Sequence, residues 1–123
     1  MLMDDSHDWF ADVAESFVRY LAARDGLEVF GAGKWVEDAA CYDRAKNRWY
    51  RFEVRSTDRA RNPIKKGQKK LQHADILVEV KLTEGSRLST RFKILRAGRL
   101  FTKAEALQDP SKGHLLAWLR TWT

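Results

Sequence analysis

At 123 residues, 44% hydrophobic and 33% charged, the chain suits one soluble domain spanning 1–123 with a real core. No run approaches the roughly 18 apolar residues of a membrane span, and the acidic start MLMDDSHDWF lacks a secretory profile. A lone cysteine, Cys41, excludes an internal disulfide, so an intracellular, cytoplasmic setting is expected.

The net charge of +6 is local. Between Arg59 and Lys70 the stretch RARNPIKKGQKK carries six basic residues and no acid, and outside it basic and acidic residues balance. A concentrated basic patch on a neutral body points to a polyanion, usually nucleic acid, although a merely solvated basic helix face has the same composition.

In chain order, Asp5 or Ser6 caps a helix beginning near His7. Phe10, Ala14, Phe17, Val18 and Leu21 share its apolar face, Glu15 lies at the margin, and Gly26 stops it. Leu27–Gly31 is apolar enough for a first strand, followed by a turn at Gly31-Ala32-Gly33. Lys34–Asp43 reads as a second strand, RAKNR (Arg44–Arg48) as a hairpin connection and Trp49–Thr57 as a third strand. Asn62-Pro63 has the form of a helix start, Asn as cap and Pro at the first helical position. In that helix Ile64, Gly67, Gln68 and Leu71 share a face, with Lys65, Lys66, Lys69 and Lys70 mainly opposite. Asp75–Leu82 alternates strongly, and Leu88–Leu95 pairs with it across Glu84-Gly85-Ser86. Thr102 and Ser111 are candidate caps for two C-terminal helices, the last with Leu115, Trp118, Leu119 and Trp122 on one face. The order of elements calls for a mixed sheet flanked by helices, an α/β (α+β) fold rather than a doubly wound parallel sheet.

The strand YRFEVRST, Tyr50–Thr57, poses a chemical question: a carboxylate, Glu53, stands between two arginines on its polar side. A hairpin centred on Lys46-Asn47 places Asp38 opposite Arg55 and Ala40 opposite Glu53. Asp38, Glu53 and Arg55 then share one patch of sheet. Two carboxylates offer hard oxygen ligands to Mg²⁺, which lowers the pKa of bound water and neutralises charge on a phosphodiester. Arg55 would hold a phosphate oxygen; a guanidinium stays protonated and cannot act as a base. From the residues alone, a structural ion-pair cluster accounts for the trio as well as a metal site does.

At these residues the sequence resembles the PD-(D/E)xK nuclease superfamily, the restriction-endonuclease-like fold. The resemblance spans roughly residues 8 to 83 through AESF, WVEDAACYD, FEVRST and QKKL, at 14–17, 35–43, 52–57 and 68–71. It implies an αβββαβ core, here with an extra strand and C-terminal helices, and a DNA endonuclease using Mg²⁺ or Mn²⁺. By resemblance Asp38 and Glu53 bind the metal, the Val54 carbonyl is a further ligand, Glu15 matches a first-helix acid and Gln68 a helix glutamine near the site. The family lysine is replaced by Arg55, for which Lys65 or Lys69 is a candidate substitute; equally, the chemistry is lost and a nucleic-acid-binding module remains. Arg59, Arg61, Lys65, Lys66, Lys69 and Lys70 would grip the phosphate backbone, of DNA or of RNA, since phosphate contacts carry no sugar preference. A homodimer would supply two sites for two strands, with the apolar C-terminal helix as a candidate interface. A third class of reading is a structural subunit whose basic helix docks on an acidic protein.

Other motifs are weaker. Glu79-Val80-Lys81 is an intact Glu-x-Lys with Asp75 before it, but no hairpin partner strand bearing an Asp precedes it, and SRLSTRFKIL after it holds no carboxylate. His7, His73 and His114 lack ligand spacing. Cys41 lies in a strand and packs rather than attacks. Gly31-x-Gly33 is too short for a phosphate-binding loop. Asp43 reads as a turn residue with a secondary chance of supporting a metal.

Overall fold

The computed structural model describes residues 5–31, 39–58, 68–83 and 87–123, with 5–8, 31, 57–58 and 68–70 by backbone alone. The predicted turn at Gly31-Ala32-Gly33 lies largely outside them, as do the first part of the second strand, the Asn62-Pro63 helix start and the Glu84-Gly85-Ser86 turn.

Helix α1 (Asp5–Arg24) ends as its sequence requires. Gly26 takes φ 96°, its N–H reaches Ala23 O, and Leu27 N–H reaches Ala22 O, the double closure that a left-handed glycine permits. The chain then enters a seven-stranded mixed sheet: β1 (Glu28–Gly31), β2 (Ala39–Asp43), β3 (Arg48–Asp58), β4 (Ile76–Thr83) and β5 (Arg87–Arg96) lie side by side in that order. All neighbours are antiparallel except β3 and β4, which run parallel. The α+β class expected from the order of elements is therefore the fold observed. Between β3 and β4, Gln68–His73 forms a 3-10 helix rather than the end of an α-helix.

The two faces of the sheet differ. Tyr50, Phe52 and Val54 of β3 join Ile76, Val78 and Val80 of β4 in the main core, against Ala14, Val18 and Leu21 of α1, the apolar face read from the sequence. The opposite face holds a smaller cluster in which Leu71 and Ala74, at the end of the 3-10 helix, cover Leu77 and Leu95.

The C-terminal region departs from expectation. A short strand, β6 (Arg99–Leu100), precedes Thr102, and a second, β7 (Leu107–Gln108), stands where a helix capped by Thr102 was expected; both pair with β5. The cause is the tight turn at Ala97-Gly98, both at positive φ, which folds the chain back along β5 before a helix can begin. One C-terminal helix forms, α2 (His114–Trp122), burying Leu115, Trp118 and Leu119. Ser111 supplies no side-chain cap. Instead Asp25, just past α1, accepts from Gly113 N–H (2.8 Å) and Leu116 N–H (3.0 Å), capping α2 from 88 residues away.

Asp43 stands at the hairpin end, as read from the sequence, its carbonyl accepting from Lys46 N–H, and its side chain is also a structural anchor. It is 3% exposed and takes both arms of the Arg120 guanidinium, at 2.8 and 3.0 Å. A carboxylate so held ties the end of β2 to α2. The hydrogen bonds from Arg120 hold its pKa below the ordinary carboxylate value of 3.8, against an opposing push from burial. Because the folded value is depressed, this stabilisation is full above the unfolded pKa and is lost as pH falls through the folded one. Asp43→Ala is expected to lower the unfolding free energy by about 1–3 kcal/mol at neutral pH, measured by urea titration. The gap between wild type and variant should narrow as pH falls below 3.8 and close once pH is below the depressed folded pKa; a gap that does not narrow with acid would show that the anchor is not electrostatic.

At the start of β4, Asp75 joins three strands. Its N–H donates to Arg51 O (2.8 Å), its carbonyl accepts from Leu95 N–H (2.8 Å), and its carboxylate accepts from Arg51 N–H (2.9 Å) and from both arms of the Arg51 guanidinium (3.2 Å each). Asp75→Ala should cost about 1–2 kcal/mol and Asp75→Asn less, since the amide oxygen still accepts from Arg51 N–H. Equal losses in the two variants, read by thermal melting, would mean that the backbone contact carries none of the effect.

Candidate functional site

Glu53 occupies the middle of β3, in register with Leu77 of β4 and next to Phe52, the partner of Ala39 on β2, with 1% of its surface exposed. Strand alternation turns it away from Phe52 and Val54, toward the face that the 3-10 helix partly covers. Its carboxylate lies 3.2 Å from Arg55 Nη2, and that side chain is also largely buried. Burying a carboxylate costs several kcal/mol unless a partner offsets it, and Arg55 is such a partner.

The neighbouring strands extend the polar row. Glu53 is in register with Leu77, and Arg55 with Glu79. Glu79 in turn lies 2.7 Å from Lys93 Nζ of β5. The second Glu-x-Lys motif, at Glu79, thus shares a face and an adjacent strand with Glu53. Its acid is engaged by a lysine the motif does not contain, and Asp75 is engaged by Arg51. Lys93, on the strand after the motif, was missed by sequence reading; its alternation with Arg91 and Leu95 could have placed it on this face.

The hairpin register differs from the expected one. The loop is Arg44–Asn47, closed by Lys46 N–H to Asp43 O and Asn47 N–H to Arg44 O, with Asn47 at φ 50°. Arg48, read as part of the connection, pairs with Asp43 instead, so the centre moves to Ala45-Lys46. Ala40 therefore faces Arg51, not Glu53, and Ala39 faces Phe52. The shift is by two positions, so each residue keeps its face. Asp38 lies outside the described residues, as do Arg59, Arg61, Lys65 and Lys66.

Glu15 is half-buried on α1, 3.5 Å from Arg19 one turn on. The helix that carries it packs on the core face, the side of β3 opposite to Glu53. Gln68, Lys69 and Lys70 are placed by their backbone in the 3-10 helix, which contacts β3. Among the described residues no three His, Cys, Asp or Glu groups gather as a metal site. Cys41 is buried, and burial pushes its thiol up to about 12, only partly opposed by Arg19, which agrees with a packing role. No helix among the described residues is long and apolar enough to cross a membrane.

Set against family models, curated proteins and solved structures, the chain matches none. The chemistry of its site therefore rests on its own residues.

The Glu53–Arg55 pair makes a measurable claim. Arg55→Met, which removes the cation beside a buried carboxylate, is expected to cost about 3 kcal/mol in urea unfolding. Adding Glu53→Gln should recover part of that loss, giving a coupling of at least about 1 kcal/mol. Strict additivity would show that the pair is not the contact that settles Glu53.

Proposed function

We propose that this chain is a metal-dependent endonuclease domain of the PD-(D/E)xK kind, hydrolysing DNA phosphodiester bonds with Mg²⁺ or Mn²⁺. One observation carries the reading: a carboxylate, Glu53, is kept buried on the central strand of a mixed sheet. It lies on the face that the 3-10 helix at the end of the basic stretch partly covers. A purely structural sheet gains little from a buried acid, which is costly even when paired. The order of helix, three strands, helical crossover and parallel strand also agrees with the core that the sequence resemblance implies.

The described donors alone do not make up a metal site, and the set that suits a divalent cation includes Asp38. That residue directly precedes Ala39, whose partner Phe52 directly precedes Glu53. Asp38, Glu53 and the Val54 carbonyl would hold the ion. Bound there, it would activate water and neutralise charge on the phosphate. Arg55 holds Glu53 in place and presents a fixed positive charge to a phosphate oxygen. Arg59, Arg61, Lys65, Lys66, Lys69 and Lys70 would hold the backbone of the nucleic acid, with Lys65 or Lys69 standing in for the family lysine. Gln68 keeps the supporting role the resemblance gives it, whereas Glu15, carried by the helix that packs on the other side of β3 and 3.5 Å from Arg19, takes no part at this site. A homodimer would present two such sites to the two strands of a duplex.

A second reading has its own support. The 3.2 Å contact between Arg55 and Glu53 engages an oxygen that a metal would otherwise take. On that reading the domain binds nucleic acid and no longer cuts it.

Labelled duplex, single-stranded and four-way-junction DNA, incubated with Mg²⁺ or Mn²⁺, separates the two. Cleavage by wild type, reduced by about 10²-fold or more in Asp38→Ala and Glu53→Gln with binding kept, is the expected result. Arg55→Lys, which restores the family pattern, should retain cleavage. If every form binds and none cuts with either metal, the binding module is the correct reading.

A further inference from the structure

The face that carries Glu53 and Arg55 continues across β1 and β2, and there it is aromatic. Phe30 of β1, Tyr42 of β2 and Trp49 of β3 all project from it, by the register of the three strands. Ala40, small and set between Phe30 and Arg51 in register, leaves room for the rings to meet across β2. The Phe30 and Trp49 centroids are 5.2 Å apart, and those of Tyr42 and Trp49 are 5.0 Å apart. Cross-strand packing explains why the rings touch one another. It does not explain why Trp49 is 53% and Phe30 46% exposed on the same face as a buried acid.

The rings are held in place. The Tyr42 hydroxyl donates to Asn47 Oδ1, and Arg44 takes both oxygens of Glu28 at 2.8 and 3.0 Å beside them. The two carboxylates bordering the patch are already engaged, Glu28 by Arg44 and Asp75 by Arg51. Lys46 on the exposed hairpin adds a positive charge at its edge, while Arg48, one residue before Trp49, projects from the opposite face and meets the Thr123 hydroxyl there.

From this we infer a base-stacking platform: Trp49, Phe30 and Tyr42 receive the unpaired bases of a single-stranded nucleic-acid segment, and Lys46 lies beside its phosphates. Fixed, exposed aromatic rings beside a lysine suit nucleobases, whose flat faces a duplex hides and a single strand offers. Trp49 and Glu53 lie on one face of one strand, roughly 13 Å apart, so a strand seated on the rings leads toward the buried acid. The inference deepens the proposed function and rests on its nucleic-acid partner; it names the substrate class as DNA or RNA with an unpaired segment next to the site.

The test is binding in EDTA, where cutting plays no part, with the whole chain and a labelled short oligothymidylate against a blunt duplex of equal length. Trp49→Ala and Phe30→Ala should each weaken oligothymidylate binding about tenfold while leaving duplex affinity within about twofold. The salt dependence should keep its slope, because no phosphate contact is removed. Trp49→Phe should restore most of the affinity, and Trp9→Ala, at an equally exposed tryptophan on α1, should change nothing. Unchanged oligothymidylate binding in Trp49→Ala and Phe30→Ala overturns the platform. So does an equal loss for duplex and single strand, or a sedimentation result in which these variants abolish self-association and leave oligonucleotide binding intact. Metal-dependent duplex cleavage without aromatic dependence would overturn the platform alone; absence of binding to any nucleic acid would remove the proposed function with it.

Discussion

The parallel pairing of β3 with β4 is the constraint on which the rest depends, and Asp75 holds it. A parallel pair cannot be closed by a tight turn, so its register must be set by contacts at the strand ends. Asp75 sets it by meeting Arg51 through backbone and side chain at once and by accepting from Leu95 on the far side. With that point fixed, Phe52 falls beside Ile76, Glu53 beside Leu77 and Arg55 beside Glu79. A slip of one residue would turn Glu53 into the apolar core and Val54 out of it.

The two faces then divide the work. The core face is sealed by α1 and α2, and two acids fasten the seal: Asp25 caps α2, and Asp43 grips Arg120. These contacts join residues far apart in sequence, and they use up carboxylates that might otherwise look like ligands. The other face carries only a small apolar cluster, so charged and aromatic residues can occupy it without costing the fold its core. Glu53, Arg55, Glu79 and Lys93 form a row of alternating sign on that face, and the ring cluster of Phe30, Tyr42 and Trp49 lies at its β1 side.

This arrangement carries a tension. Arg55 stabilises a buried Glu53, yet on the proposed reading the same contact would compete with a cation for the carboxylate. A lysine would reach the acid as a point charge; a guanidinium engages it through a broad, planar set of donors.

Much of the fold was legible in the sequence because its signals are local. The apolar stripe of α1, the stop at Gly26 and the alternation of β3, β4 and β5 depend on residues close in the chain, and they predicted those elements to within a few positions. The buried neighbourhood of Cys41 was legible for the same reason. The hairpin register was not, because Arg48 has the composition of a loop residue and became a strand residue by pairing with Asp43. The second C-terminal helix failed because Ala97-Gly98 turned the chain onto β5, a preference that alternation alone does not express. What the sequence by itself determined was an α+β domain with a mixed sheet and a carboxylate on a strand between arginines. Only tertiary structure decided which acids are spent on α2, which lysine meets Glu79 and that three aromatic rings share a face with Glu53, because each depends on partners brought together by sheet register rather than by proximity in the chain.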